Sequence, residues 1–315
     1  MVCALFDAIF EKSKKKQPMR RAILIYNPQA GRGKIERNIS RIVAVFRTVD
    51  CDLILHPIEF EKNPFDGNED IELAIVAGGD GTVNFVVNAM MQKGLSITLG
   101  IIPAGTANDF AGALGMSTDV VEAAQQIVSG VIEEVDCGKV EHLDSKKDSS
   151  IYFVNIFSFG IFTTTSQHTP EHLKHHFGLI AYLFAGFKDL RNLHGIPLTI
   201  TTDDETFYYP TLMGLVLNGE TAGRVPLARK SSLRDGVFDC LFLRKRETAF
   251  QSACDMLLYM LGIKTRAVRF LRTSVLTLVT PTTEDTDVDG QRGGRFPMSV
   301  RCLKGALKIV CPDVS

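Results

Sequence analysis

The residues best suited to do chemistry are Gly78-Gly79-Asp80-Gly81-Thr82, set between an apolar run at 71–77 and a helical pattern at 83–91. Consecutive glycines carry no Cβ atoms and admit positive φ, so successive main-chain N–H groups can turn toward one point. The helix that follows adds the positive end of its dipole, and the two together make a phosphate cradle. Asp80 is out of place as a phosphate ligand, because like charges repel. It suits a neighbour of magnesium or an acceptor of a substrate proton. A purely structural turn needs fewer glycines and no acid. Two further loops hold equivalent places after predicted strands: Asn27-Pro28-Gln29-Ala30-Gly31-Arg32-Gly33, and Pro103-Ala104-Gly105-Thr106-Ala107-Asn108-Asp109-Phe110. Ligands of open α/β sheets sit at the carboxyl ends of the strands, so three such loops predict one pocket. The dinucleotide fingerprint is not met, since Glu36 stands where its third glycine belongs. Walker A is not met either, with Lys34 followed by Ile35 and Pro at 28.

The elements that must position these loops are legible in the hydrophobic pattern. Short apolar runs at 21–26, 52–58, 71–77 and 95–102 read as strands, and 35–49, 83–91, 106–114 and 119–129 as helices, the last with Thr118 as a cap. Strands alternating with helices imply a parallel sheet covered on both faces. After about residue 131 the pattern changes. Strand-like runs recur at 134–140, 151–159, 196–202, 211–217, 237–243, 275–279 and 298–302, interrupted by helices at 170–191 and 248–261, which suggests an antiparallel sandwich. Residues 144–150 read as a polar loop.

Composition agrees with two domains, since 315 residues at roughly 100–200 per domain leave room for two. Lys and Arg total 35 against 36 Asp and Glu, giving a net charge of −1, so no basic excess points to nucleic acid. Seven cysteines without C-x-x-C spacing suit reduced thiols in a cytoplasm. There is no apolar run long enough to span a membrane. Residues 1–18 pair apolar Val2, Leu5, Phe6, Ile9 and Phe10 with a following basic cluster. They read either as an amphipathic helix that meets an anionic membrane surface or as a plain tail.

Taken in order, these motifs resemble the diacylglycerol kinase catalytic family of lipid kinases, related to sphingosine kinases. The resemblance runs from about Arg20 to Pro312. It is carried by NPxxGxG at 27–33, GGDGT at 78–82 with Val83-Asn84, PAGTANDFA at 103–111, VDCGK at 135–139 and FVN at 153–155. Gly178 with Ala181-Tyr182, Asn218-Gly219 before Gly223, RDGVFD at 234–239 and VDG at 288–290 complete it. GGDGT alone is shared with NAD kinase and phosphofructokinase-like folds. The resemblance implies an N-terminal three-layer α/β nucleotide-binding domain over 19–132, completed by 303–315, and a C-terminal antiparallel β-sandwich lipid domain over 133–302. It implies ATP held by Asn27, Gly31, Gly33, Gly78, Gly79, Asp80, Gly81, Thr82, Val83, Asn84, Gly105, Thr106, Asn108 and Asp109. It also implies a structural magnesium at Ser232, Asp235 and Val237, where Asp235 brings a hard carboxylate oxygen and the other two would have to use backbone carbonyls. The expected partner is a membrane lipid met at the inner face of the membrane by a cytoplasmic, peripheral enzyme. A homo-oligomer is compatible with the sequence.

Several residues depart from that pattern. The family's DGE reads Asp289-Gly290-Gln291 here, and a Gln amide cannot accept the lipid hydroxyl's proton. Asp80 remains as a base. An alternative is therefore a nucleotide- and lipid-binding regulator with little turnover; another is a soluble NAD kinase-like enzyme. Phe85 stands where an acid is common, 160–164 read GIFTT, and the helix expected between the second and third strands is missing. His168, His172, His175 and His176 cluster at 167–177, with His172 and His176 on one face of the helix predicted from 170, where a solvated face is the plainer reading than zinc. The Met and Phe residues around 254–261 read as core, with an acyl floor as the sharper option. The acidic tract 282–289 reads as a solvated turn.

Overall fold

The computed structural model describes residues 20–68, 70–144, 150–161, 195–222, 225–228 and 231–313. The N-terminal tail, the histidine cluster, the helix predicted at 170–191, Gly178, Ala181, Tyr182 and Gly223 lie outside the described residues. Two compact units emerge, Met1–Val135 with Gly305–Ser315, and Asp136–Lys304.

In the first unit, strands β1 (Arg20–Tyr26), β2 (Cys51–Pro57), β3 (Leu73–Gly78) and β4 (Thr98–Pro103) form a parallel sheet in the order β2-β1-β3-β4. Every residue of β3 and β4 is buried, as expected of central strands covered on both faces. Helix α1 (Lys34–Arg47) buries the stripe Ile35, Ile42 and Phe46, and packs on β2. Helices α2 (Asp80–Gln92), α3 (Asp109–Ala113) and α4 (Val120–Ser129) follow the glycine loops and the fourth strand. The cap of α4 is Asp119 rather than Thr118: its carboxylate accepts the N–H groups of Val121 and Glu122 at 2.9 and 3.0 Å, and two amides favour an anion over a hydroxyl. The segment between β2 and β3 has no helix. Instead a loop is pinned by Asn63, which donates to the Ala89 carbonyl at 3.0 Å and accepts from the Phe65 N–H at 2.9 Å, while Phe65 is fully buried.

The second unit is antiparallel. Its strands are β5 (Val131–His142), whose first residues belong to the first unit, then β6 (Ile151–Phe153), β7 (Ile156–Gly160), β8 (Ile196–Thr201), β9 (Thr206–Leu217), β10 (Thr221–Ala222), β11 (Val225–Pro226) and β12 (Phe238–Arg244). Helix α5 (Ala249–Met260) precedes β13 (Val268–Thr273), β14 (Val275–Val279), β15 (Asp285–Val288), β16 (Gln291–Arg295) and β17 (Met298–Cys311). Strand β17 ends in the first unit, where Ile309 registers in parallel with Leu99 of β4. A phenylalanine core holds this unit together, with Phe153 stacked on Phe238 at 5.3 Å and Phe159 edge-on to Phe296 at 5.2 Å. The tract at 282–289 is not a turn: Asp285–Val288 is a strand paired with β7 and β16. Thr286 and Val288 face the core, while Asp285 meets Arg292 and Arg295. A four-residue strand whose outward positions are acidic hides its alternation in a run of charge.

Candidate functional site

The three glycine-bearing loops meet at the carboxyl edge of the parallel sheet. The Asn27 N–H donates to the Ala77 carbonyl at 3.0 Å, and the Ala104 N–H to the Gly78 carbonyl at 2.8 Å. Gly31, Arg32 and Gly33 are all left-handed, at φ 56°, 56° and 76°, and an added Cβ on Gly31 would stand 2.7 Å from the Ala104 oxygen. Gly79 and Gly105 press together: a Cβ on Gly105 would lie 2.5 Å from the Gly79 Cα, and one on Gly79 3.0 Å from the Gly105 Cα. No side chain other than hydrogen permits that approach. Gly81 differs, since a Cβ there would meet nothing within 4 Å. It is the second residue of α2, where a main-chain N–H has no partner within the helix and the dipole favours an anion.

Asp80 is engaged by backbone. Its Oδ1 accepts the Phe110 N–H at 3.2 Å, and the amides of Asn108 and Asp109 also support its charged form. Burial nonetheless pushes its pKa above the usual carboxylate range, with the Asp109 charge adding to the rise. The carboxylate thus ties the start of α3 to the start of α2. Asn108, left-handed at φ 53°, closes its own loop by accepting the Gly105 N–H at 2.8 Å and donating to the Gly105 carbonyl at 2.9 Å. Thr106 is exposed. Thr82, Val83 and Asn84 are buried, and the N–H groups of Thr82 and Val83 return to the Gly79 carbonyl at 2.9 and 3.1 Å. Asn84 Oδ1 accepts from Asn88 at 3.1 Å. These three residues build the turn from within, so the surface offered to a ligand is main chain at Gly81 and the flanking loops.

In the second unit, Asp289 lies at φ 49° in the tight turn before Gly290. Its carboxylate accepts three consecutive amides, Val154 at 2.7 Å, Asn155 at 3.0 Å and Ile156 at 2.8 Å. Asn218 is fully buried and donates to the carbonyls of Asp136 and Val154, each at 3.0 Å. The VDG, FVN and VDCGK motifs are therefore one hydrogen-bonded knot. Gln291 begins β16 next to it and is exposed.

The residues assigned to magnesium do not fit that ion as arranged. Asp235 Oδ1 accepts the Val237 N–H at 3.1 Å, and Oδ2 is taken by the Arg272 guanidinium. Arg272 Nε also reaches Asp239 Oδ1 at 2.9 Å, and Ser232 Oγ accepts the Arg234 N–H at 3.2 Å. A fixed cation already neutralises the one anionic donor. Among the described residues there is no group of three or more His, Cys, Asp or Glu placed to hold a metal. Arg272, and its pairing with Asp239 of the RDGVFD motif, escaped the sequence reading because the two residues lie on different strands, β13 and β12.

Near Arg272 a cavity of about 650 Å³ opens, lined by Leu227, Tyr259, Met260, Lys264, Thr265 and Val268 among others. Its floor is apolar, with Lys264, Arg269 and Arg272 supplying positive charge. Thr265 Oγ1 is buried there without a hydrogen-bond partner. Met256 fills core, as expected, whereas Met260 reaches the cavity.

The diacylglycerol kinase catalytic domain family matches residues 21–140. Over 302 residues the chain is 30% identical to the diacylglycerol kinase of Bacillus subtilis (strain 168), covering 93% of this chain and 97% of that protein. The crystal structure of a diacylglycerol kinase from Bacillus anthracis str. Sterne has a TM-score of 0.70 at 23% identity, covering 94% of this chain and 98% of that one. Yeast NADH kinase complexed with NADH gives a TM-score of 0.51 at 11% identity, over 95% of this chain and 85% of that one. The two solved structures share the fold, an α/β domain followed by a β-sandwich.

Proposed function

Because the chain belongs to the diacylglycerol kinase catalytic family, we propose that it is a lipid kinase that transfers the γ-phosphate of ATP to a hydroxyl of a diacylglycerol-like lipid. The observation that carries this reading is the close approach of Gly79 to Gly105, which leaves the main chain at Gly81 open to a polyanion. Phosphoryl transfer depends chiefly on positioning and charge neutralisation. A site made of main-chain N–H groups and a helix start suits that demand. Asp80 acts as a positioning residue that holds the Pro103–Phe110 loop against α2 through the Phe110 amide. Bound together with the ATP phosphates, magnesium would supply charge neutralisation beside the main chain at Gly81; no step passes through Ser232, Asp235 and Val237.

The cavity beside α5 receives the acyl part of the lipid, with Lys264 addressing its polar backbone. In this reading the enzyme meets its lipid at the membrane surface; no helix among the described residues is long and apolar enough to cross a membrane. Incubation with γ-labelled ATP and a total lipid extract tests the reading. The expected result is label in an organic-soluble phosphomonoester. Label confined to NADP when a nicotinamide dinucleotide is supplied, with none in lipid, would contradict it.

A further inference from the structure

We propose that Phe60 and Phe85 form an aromatic platform on which the base of the bound nucleotide stacks, a binding subsite that rests on the nucleotide reading above and extends it. The two rings meet edge to face, with centroids 5.1 Å apart and planes at 75°. Phe85 follows Gly81 and Thr82 by four and three residues in α2, so all three share one helix face. Helical side chains lean toward the N-terminus and cover the turn before their own Cα. The Phe85 ring therefore borders the open space above Gly81.

Phe60 reaches the same place from the sheet. It comes three residues after Pro57, which ends β2 in register with Tyr26, and the Ile58 N–H donates to the Tyr26 carbonyl at 2.8 Å. Strand β2 is parallel to its neighbours, so this loop leaves the sheet at the edge that carries the three glycine loops. The loop is anchored beyond Phe60 by Asn63 and the buried Phe65. The Phe60 ring itself is 55% exposed. An anchored loop that presents a large apolar ring to water at a ligand edge is arranged for a planar partner. Every nucleobase has a π-face, and stacking on an aromatic side chain tolerates any of them. The two rings also sit at two departures from the family pattern, Phe85 in place of an acid and the missing helix after β2. Twenty-five positions apart in sequence, the two departures meet in one aromatic contact.

The chain contains no tryptophan, so Phe60→Trp supplies a single tryptophan that can be excited apart from the tyrosines. Calorimetric titration with ADP and with inorganic tripolyphosphate separates base from phosphate. Phe60→Ala and Phe60→Leu are each expected to weaken ADP binding about tenfold or more, to leave tripolyphosphate binding unchanged, and to melt near wild type. Phe60→Trp is expected to restore ADP affinity, with its emission quenched on binding. Wild-type ADP affinity in both the Ala and Leu variants would overturn the platform while leaving the nucleotide reading intact. Equal losses for ADP and tripolyphosphate would also overturn it, because the ring would then be holding the loop. Absence of ADP binding by the wild-type protein would remove the nucleotide reading and the platform with it.

Discussion

Replacing Gly81 by Ala sets stability and ligand binding in opposition. Its added Cβ meets no protein atom within 4 Å, so the substitution creates no clash in the protein. Inside a helix Ala is favoured over Gly by up to about 1 kcal/mol, because Gly loses more backbone freedom on folding. At the second residue of α2 we expect roughly half of that, a rise in melting midpoint of about 1–2 °C for a unit of this size. If a phosphate oxygen approaches this backbone to about 3 Å, the methyl group takes space the ligand needs. ADP affinity should then fall at least about tenfold, a cost of about 1.4 kcal/mol. Differential scanning calorimetry and isothermal titration on the same preparation read both quantities. A variant that is more stable and binds ADP as tightly as wild type would show that no ligand comes to this turn, and the cradle argument would fail at its best-defined residue.

Other expectations follow from the same geometry. Asp289→Ala strips the amides of Val154, Asn155 and Ile156 of their shared acceptor. A loss of about 3 kcal/mol is expected, read as a fall of about 6–12 °C in the midpoint of the second unit, and a shift under 2 °C by the same estimate would refute the knot. Arg272 already neutralises Asp235 and Asp239, so melting of the wild-type protein should not respond to EDTA or to magnesium, whereas Arg272→Met should gain stability with magnesium. A chelator-sensitive wild type would contradict that. Gln291→Glu should change the labelling rate by less than about tenfold; a gain of 10²–10⁴, the usual worth of a general base, would favour the low-turnover regulator. Burial raises the Asp80 pKa, so the folded state keeps its proton to higher pH than the unfolded state. Stability from this group is then greatest in acid and declines as pH rises through the raised value. The melting midpoint of wild type relative to Asp80→Asn should therefore decrease as pH rises above the ordinary Asp pKa of about 3.9, and a difference that increases would refute the assignment.

The α/β half of the fold was legible because its signals are local. Buried parallel strands read as unbroken apolar runs, and three of the four strands end in a short glycine-bearing loop that can be read directly from the sequence. The contact of Asp80 with Phe110 was not legible, since the two lie thirty residues apart and the contact is to backbone. The same holds for Asp289 and for the Arg272 pairs: each joins elements brought together by antiparallel pairing, which leaves no spacing to read. Strand β15 was missed for a different reason, because its outward-facing positions are acidic and mask the two buried residues between them. Thr82, Val83 and Asn84 sit inside the motif, yet their side chains face inward. Motif membership identified the loop and not which atoms it exposes.

On the reading proposed above, the glycine loops hold a nucleotide through its phosphates. Titration of the wild-type protein with ADP and with adenosine, followed by calorimetry, tests it most directly. The account predicts one saturable site for ADP and binding of adenosine weaker by at least about a hundredfold, the difference being the phosphates. Equal affinity for the two, or no heat with either, would contradict it.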